Sequence, residues 1–391
     1  MSVARQEEAS SSVMRGDITR TTSIGRLRRL VALSSVLLGL MMMFPIANAG
    51  QAMPSAYKVE GVPLYQQIDA SGCGAASLQM LFDYYGPFVD QMEIYDAARS
   101  GGTTLPDMAR AAQFSFMSTT AGDRFVQGIT TGYRERPVGY AGFYYASTTP
   151  WLSELKSIVA KGYPVAVLVD WLPGIYGPHY RVVVGYDDNK GIIMMNDPWS
   201  REMKNDMDYQ GSSSQFANAN AQDTDFGTFN LTYEDFLTIW ALPTSPWGVP
   251  GLFYGAVLVT PWEVQLNAPD TVSPGKTFTV TAKVTYPCIA PFGTGSFPTF
   301  PASDVKVTLS VGSGLSIVGD PVATGKGSLS AGDQMKVSWT VKASAAGGDF
   351  SLTADAGGLV SGLLGPWHDY PAYDYEDLIG GSSSTVVSVG S

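Results

Sequence analysis

The sequence predicts an α+β domain followed by an all-β domain, and three observations carry that reading. Apolar residues recur at helical spacing in 75–85 and again in 150–161, the period of an amphipathic helix. Short apolar runs at 165–169, 180–186 and 191–196 read as strands, the last two joined by the turn residues Asp187, Asp188, Asn189 and Lys190. From Trp262 onward helical spacing is lost, and apolar–polar alternation between Gly, Pro and Asp turns replaces it, as in a β-sandwich. The division implied is a leader over 1–49, an α+β domain over 50–261 and a sandwich over 262–391.

Hydrophobic residues form 45% of the 391 and charged residues 15%, so the cores are well supplied while the surface relies on Ser, Thr, Asn, Gly and Tyr. With 43 Gly and 24 Pro, the composition suits β-rich, loop-rich exported domains. Six arginines against three acidic residues give the first 29 residues a charge of +3, so the −11 of the whole chain leaves −14 on the remainder. No Lys/Arg cluster follows Arg29. An acidic body of this kind argues against a nucleic-acid partner, because phosphate binding needs a basic face.

Gly25-Arg26-Leu27-Arg28-Arg29, an apolar run over 30–46 and Ala47-Asn48-Ala49 follow one another. Basic, apolar and A-x-A parts in that order are those of a secretory signal peptide cut after Ala49. The alternative is an uncleaved membrane anchor, at the lower limit of a bilayer span. Either way the remainder is expected to be secreted or held at the cell surface, with membrane contact only through this segment. The two cysteines, Cys73 and Cys288, would pair in such a compartment or, as the setting of Cys73 fits better, remain thiols.

After an extended stretch over 56–65 come the paired glutamines Gln66 and Gln67, then Ser71-Gly72 and the helix that begins near Cys73 and stops at Gly86-Pro87. Short helices are expected over 91–98 and 105–112, the second with Thr104 as N-cap and Pro106 in its first turn. The stretch 114–147 is aromatic and irregular and gives no assignment. A helix over 150–161 ends at Gly162, the strand 165–169 follows, and 172–178 reads as a Pro/Gly-rich turn closed by His179. A four-residue loop over 187–190 sets an antiparallel register in which 180 opposes 197 and 179 opposes 198. His179 and Asp197 then lie side by side in a surface cleft, and a slip of one residue would turn both away. The polar stretch 200–227 is an insertion or a lid. A capped helix over 233–240 and a strand over 254–259 end the domain. In the sandwich, strands are expected near 264–267, 277–285, 305–311, 334–341, 349–354 and 383–389. Insertions fall at 287–302 and at the aromatic-acidic run 367–377, which reads as a solvated loop whose carboxylates match no calcium loop.

The chemistry concentrates at the first helix. A cysteine at a helix N-terminus faces unpaired N–H groups and the positive end of the macrodipole, which favours a thiolate of lowered pKa. Gly72, Gly74, Ala75 and Ala76 would leave room for a substrate backbone. Gln67, or Gln66 in its place, would offer a side-chain amide to an oxyanion together with the Cys73 N–H. Of the two histidines, His368 lies in the late insertion, so His179 is the base within reach of the nucleophile. Trp171, Tyr176 and Trp199 near the presumed cleft are either core or substrate-binding.

Val62-Pro63, Gln67, Cys73-Gly74-Ala75-Ala76-Ser77, then Gly177-Pro178-His179-Tyr180-Arg181-Val182-Val183-Val184-Gly185-Tyr186 and Asn196-Asp197-Pro198 together resemble the peptidase C39-like family of papain-like cysteine peptidases. The resemblance spans about 57–259. It implies a papain-like fold in which a helix bears the cysteine and an antiparallel sheet bears the histidine and aspartate. It also implies Cys73 as nucleophile, His179 as base and then acid, Asp197 as the group that orients the imidazole, and Gln67 as oxyanion donor. A thiolate–imidazolium pair is then expected. No multi-span transporter follows, as it does in family members that trim double-glycine leaders, so leader processing is not implied. The expected function is an exported cysteine hydrolase of peptide or isopeptide amides, with no cofactor or metal. Its partners are a peptide or protein substrate and a cell-surface or cell-wall ligand of an immunoglobulin-like C-terminal domain. A catalytically silent binding protein and a cell-wall peptide amidase are the alternatives.

Overall fold

The computed structural model describes residues 53–69, 71–86, 88–99, 103–115, 118, 136–199, 228–241, 253–289, 300–343, 347–366 and 371–390. The expected leader, the stretch 200–227, His368 and most of the 287–302 insertion lie outside the described residues, as does the Tyr176 side chain. Among the described residues no helix is long and apolar enough to cross a membrane.

Helix α1 is Cys73–Tyr85, α2 is Gln91–Ala97, and α3 is Leu105–Gln113. The start of α3 is fixed by a capping box: Thr104 accepts from the Asp107 N–H while the Asp107 carboxylate accepts from the Thr104 N–H. Helix α4 is Leu152–Val159. Helix α5 is Tyr233–Trp240, capped by the Thr232 hydroxyl.

The first sheet is antiparallel throughout. It is built from β1 Ala56–Lys58, β2 Ala141–Tyr145, β3 Val165–Leu172, β4 Ile175–Asp187, β5 Ile192–Asn196, β6 Thr228–Thr232 and β7 Gly255–Thr260. Its order is β2-β7-β3-β4-β5-β6, with β1 pairing on β4. The helices α1 to α3 cover one face, burying Leu78, Leu81 and Phe82 against Ala166, Leu168, Tyr180, Val182, Val184 and Val257. The opposite face buries Val165, Val167, Val169 and Val183 with Leu155, Phe236 and Trp240 of α4 and α5. Alternate residues of β3 and β4 thus feed two cores, as a strand covered on both faces requires.

Two readings change here. The expected turn over 172–178 is mostly strand: Leu172 pairs with Ile175 around Pro173-Gly174, so His179 lies inside β4 rather than at its mouth. The β4–β5 loop is 188–191, since Asp187 pairs with Ile192. That later loop moves the register by two residues from expectation, and a bulge at Val184 returns one, so Val182 faces Asn196.

After Thr260 the chain forms β8 Glu263–Asn267, β9 Thr271–Val272, β10 Thr277–Thr285, β11 Ala302–Val311, β12 Leu315–Val318, β13 Val322–Thr324, β14 Ser328–Leu329, β15 Gln334–Ala343, β16 Gly348–Leu364 and β17 Tyr373–Val389. These make a four-stranded sheet, β12-β15-β10-β8, and a six-stranded one, β13-β11-β16-β17-β9 with β14 on β11. Val280, Val284, Val337 and Trp339 of the first share one apolar core with Val307, Leu309, Leu352 and Ala354 of the second. The run at 371–377 is no solvated loop. From Tyr373 it is strand, with Tyr373, Tyr375 and Asp377 buried and Asp374 and Glu376 exposed between them. Period-two alternation decided the matter over polar composition.

Candidate active site

Cys73 is the first residue of α1, and Gly72 caps that helix without a side-chain bond. The next residue explains the small-residue run. A Cβ on Gly74 would stand 2.5 Å from Thr103 Oγ1 and 2.7 Å from Met108 Sδ, so the room is filled by the protein's own packing and not left for a substrate. Backbone N–H groups of Tyr180, Gly74 and Cys73 itself bond the sulfur and favour its thiolate. Burial nonetheless outweighs them and, with the nearby Asp197 charge, pushes the thiol up to about 11. This overturns the lowered pKa expected from a helix N-terminus: stripping water from a thiolate costs more here than the oriented amides return.

His179 is buried, not held on a cleft surface. Its Nε2 lies 2.7 Å from Asp197 Oδ1, and the Trp171 indole stacks on the ring at 4.0 Å between centroids and 14° between planes. Gly177, at φ 149°, makes this possible, because a Cβ there would meet the indole at 2.7 Å. Trp171 in turn packs edge-on against Trp199. Nδ1 of His179 is buried and has no hydrogen-bond partner. Burial lowers the imidazole pKa, Asp197 works against that, and Arg181 adds to it.

Asp197 sits just past the end of β5, so the pleat of the ladder does not dictate its side-chain direction. That is why the one-residue difference in register does not part it from His179, against the expectation that such a slip would. Besides His179 it accepts from Arg181 Nε at 2.7 Å on Oδ2 and from the Trp199 N–H at 2.8 Å on Oδ1. Burial alone would raise its pKa, but Arg181, His179 and the Trp199 amide hold the carboxyl far below the usual range.

Gln67 is buried and Gln66 is exposed, which favours Gln67 of the two glutamines. Its backbone N–H donates to the Pro198 carbonyl at 2.8 Å, tying it to the Asp197 turn. Its side-chain Nε2 donates to the Asp69 carbonyl, leaving the second N–H of that amide. Gln67 is thus tied to the turn whose Asp197 takes His179, and the backbone of Tyr180, next to His179, meets the Cys73 sulfur at the start of α1. Both cysteines are free. Among the described residues no group of three His, Cys, Asp or Glu is placed to hold a metal.

Two contributions were not singled out from the sequence. Arg181 is fully buried on Asp197; the pleat would have flagged it, since residues two apart on a strand share a face. Gln91 accepts from the Ile68 N–H and donates to the Gln66 carbonyl and to Gln79 Oε1, so two buried glutamines from separate helices hold the segment that carries Gln67. No sequence pattern announces that pair.

Residues 59–224 match the model of the Peptidase_C39 like family. No curated protein matches the chain. Among solved structures, the chain is similar to xylellain, a cysteine protease from Xylella fastidiosa, at 14% identity over 54% of this chain and 87% of that one, with a TM-score of 0.34. It is similar to part of native alpha-2-macroglobulin from Escherichia coli at 19% identity and a TM-score of 0.21, covering 33% of this chain and spanning only 16% of that one. A cohesin module from a Clostridium perfringens family 33 glycoside hydrolase is similar at 10% identity over 34% of this chain and 98% of the module, with a TM-score of 0.20. The span matched by the family model includes Gln67, Cys73, His179 and Asp197.

Proposed function

We propose that this chain is an exported cysteine peptidase that hydrolyses peptide or isopeptide amides, with Cys73 as nucleophile, His179 as base and then acid, Asp197 as orienting carboxylate and Gln67 as oxyanion donor. The observation that carries the reading is the 2.7 Å contact of His179 Nε2 with Asp197. With Nε2–H committed to the carboxylate, a neutral imidazole keeps its lone pair on Nδ1, the buried atom with no partner. That ring precedes the Tyr180 N–H that bonds the Cys73 sulfur.

The chemistry follows from those placements. Sγ attacks the substrate carbonyl carbon as its proton passes to Nδ1, and the carbonyl oxygen becomes an oxyanion met by the Cys73 N–H and a Gln67 N–H. Collapse breaks the C–N bond, the Nδ1 proton leaves with the amine, and the acyl group remains on sulfur as a thioester. Water then adds, gives its proton to Nδ1, and the acid departs as the thiol re-forms. A thiol raised by burial and an imidazole lowered by it make the resting pair neutral, so proton transfer accompanies attack instead of preceding it. This replaces the standing thiolate–imidazolium pair.

The raised thiol also favours a second reading, a binding protein of the same fold without turnover. The two are separated by incubating the purified chain with a peptide library and mapping Cys73 by mass. Thioester on Cys73 and cleaved peptides, both lost in Cys73→Ala and in His179→Ala, are the expected result. Full turnover in either variant sinks the peptidase reading, and no product with any peptide leaves the binding one. Export through 1–49 and a cell-surface or cell-wall partner for the residues after Trp262 complete the proposal, and N-terminal sequencing of the exported protein tests cleavage after Ala49.

A further inference from the structure

We propose that Arg181 is a positioning residue for this site, holding Asp197 and Trp171 in the setting that aims His179 and offsetting the carboxylate charge that would otherwise keep a proton on the ring. The catalytic meaning of this rests on the peptidase reading; the geometry does not.

The guanidinium is fully buried and reaches every partner that orients the imidazole. Nε donates to Asp197 Oδ2 at 2.7 Å, on the carboxylate whose other oxygen takes His179 Nε2. Nη2 donates at 2.6 Å to the carbonyl of Trp171, the residue whose indole lies on the ring. Nη1 donates at 3.1 Å to the Asp170 carbonyl, and the planar group covers the Phe229 ring at 4.9 Å. One fork thus fixes the carboxylate and the aromatic wall together, which a lysine ammonium with no planar geometry does not reproduce.

The charge argument is separate. The charged groups that act on the ring are Asp197 beyond β5 and Arg181 on β4; on β3 the Asp170 carboxylate takes the Gly177 N–H, and Cys73 at the start of α1 is the titratable group next to Asp197. A buried aspartate beside an imidazole normally draws a proton onto it. Here a fixed cation stands on the aspartate's far oxygen and works against imidazolium.

The test follows the His179 C2 proton by NMR in a His368→Gln background, where His179 is the one remaining histidine; this readout needs no substrate. In the otherwise wild-type chain the ring is expected to stay neutral below the ordinary midpoint of about 6.5, and a midpoint at or above that value overturns the proposal before Arg181 is touched. In Arg181→Gln the midpoint should rise by about one unit, tenfold in proton affinity. An unmoved midpoint in a folded Arg181→Gln protein overturns it too. Should that variant not fold, Arg181→Lys carries the test: charge retained should hold the midpoint within about 0.3 unit, while loss of the fork lowers kcat about tenfold or more with little change in KM. Full kcat in Arg181→Lys refutes positioning. Absence of hydrolysis in the wild-type chain, with the midpoints behaving as expected, refutes the peptidase reading and leaves the charge argument standing.

Discussion

Among the described residues an aspartate is buried against an arginine in three places, Asp197 on Arg181, Asp377 on Arg110 and Asp107 on Arg99, and the first two have opposite outcomes. At the candidate site Asp197 takes hydrogen bonds from Arg181, the Trp199 N–H and His179, and its carboxyl is held far below its ordinary range. Where β17 meets α3, Asp377 is fully buried, but Arg110 Nε stands 3.9 Å from its Oδ2, beyond hydrogen-bond reach. There burial prevails over Arg110 and the carboxyl is raised. Proximity of opposite charge is therefore not the deciding quantity. At Asp197 the bonds from Arg181, His179 and the Trp199 amide outweigh desolvation, at Asp377 the looser Arg110 does not, and at Asp107 desolvation prevails even over the bonds from Arg99 and Thr104. Arg110 is held differently, stacked over the Phe114 ring at 4.2 Å.

The contrast predicts unequal damage. Asp197→Ala strands Arg181 as an uncompensated buried cation and should cost about 3–5 kcal/mol in urea unfolding, besides removing most turnover. Asp377→Ala should cost only about 1–3 kcal/mol and leave kcat unchanged wherever the protein is folded. Comparable losses at the two positions would break the comparison.

Asparagine variants sharpen it through pH. The lowered Asp197 contributes stability that is present above the ordinary carboxylate pKa of about 3.9 and is lost as pH falls through its lower folded value. The raised Asp377 does the reverse: its contribution is present below about 3.9 and is lost as pH rises through the higher folded value. Melting curves should thus show Asp197→Asn falling further behind the wild type as pH rises from strongly acid, and Asp377→Asn gaining on it as pH rises above about 4. Parallel curves for the two would sink the argument. The smallest effect is expected at the α3 cap, which also holds the Arg99–Asp107 pair through Asp107. Thr104→Ala should cost about 0.5–2 kcal/mol in the same melts and leave the His179 titration where it was.

The same contrast separates what was readable in the sequence from what was not. Helix α1, the capped α3 and the β4–β5 hairpin were legible because each has a local signature in spacing, cap or turn. The bulge at Val184 was not, since its neighbours are equally good strand residues. Its one trace is Gly185, where a Cβ would meet the Tyr57 carbonyl at 2.7 Å, and glycine inside a strand is a mark of such irregularity. The acidity of Asp374, Glu376 and Asp377 masked the alternation of Tyr373 and Tyr375 that makes 373–377 a strand. The height of the Cys73 pKa was hidden for a different reason: the helix N-terminus is local and visible, whereas desolvation is the sum of everything packed around the sulfur from elsewhere in the chain.

The junction of β17 with the first domain has a consequence for synthesis. Gly139 donates its N–H to the Leu378 carbonyl and accepts from the Gly380 N–H. Arg99 donates to the Gly365 carbonyl, and Asp377 lies against Arg110 of α3. The backbone surface that completes the helical side of the first domain is thus made about 260 residues after α3 leaves the ribosome. A growing chain carries α3 with that flank open until β17 emerges, so the order of translation itself holds the domain short of its finished form until synthesis is nearly done.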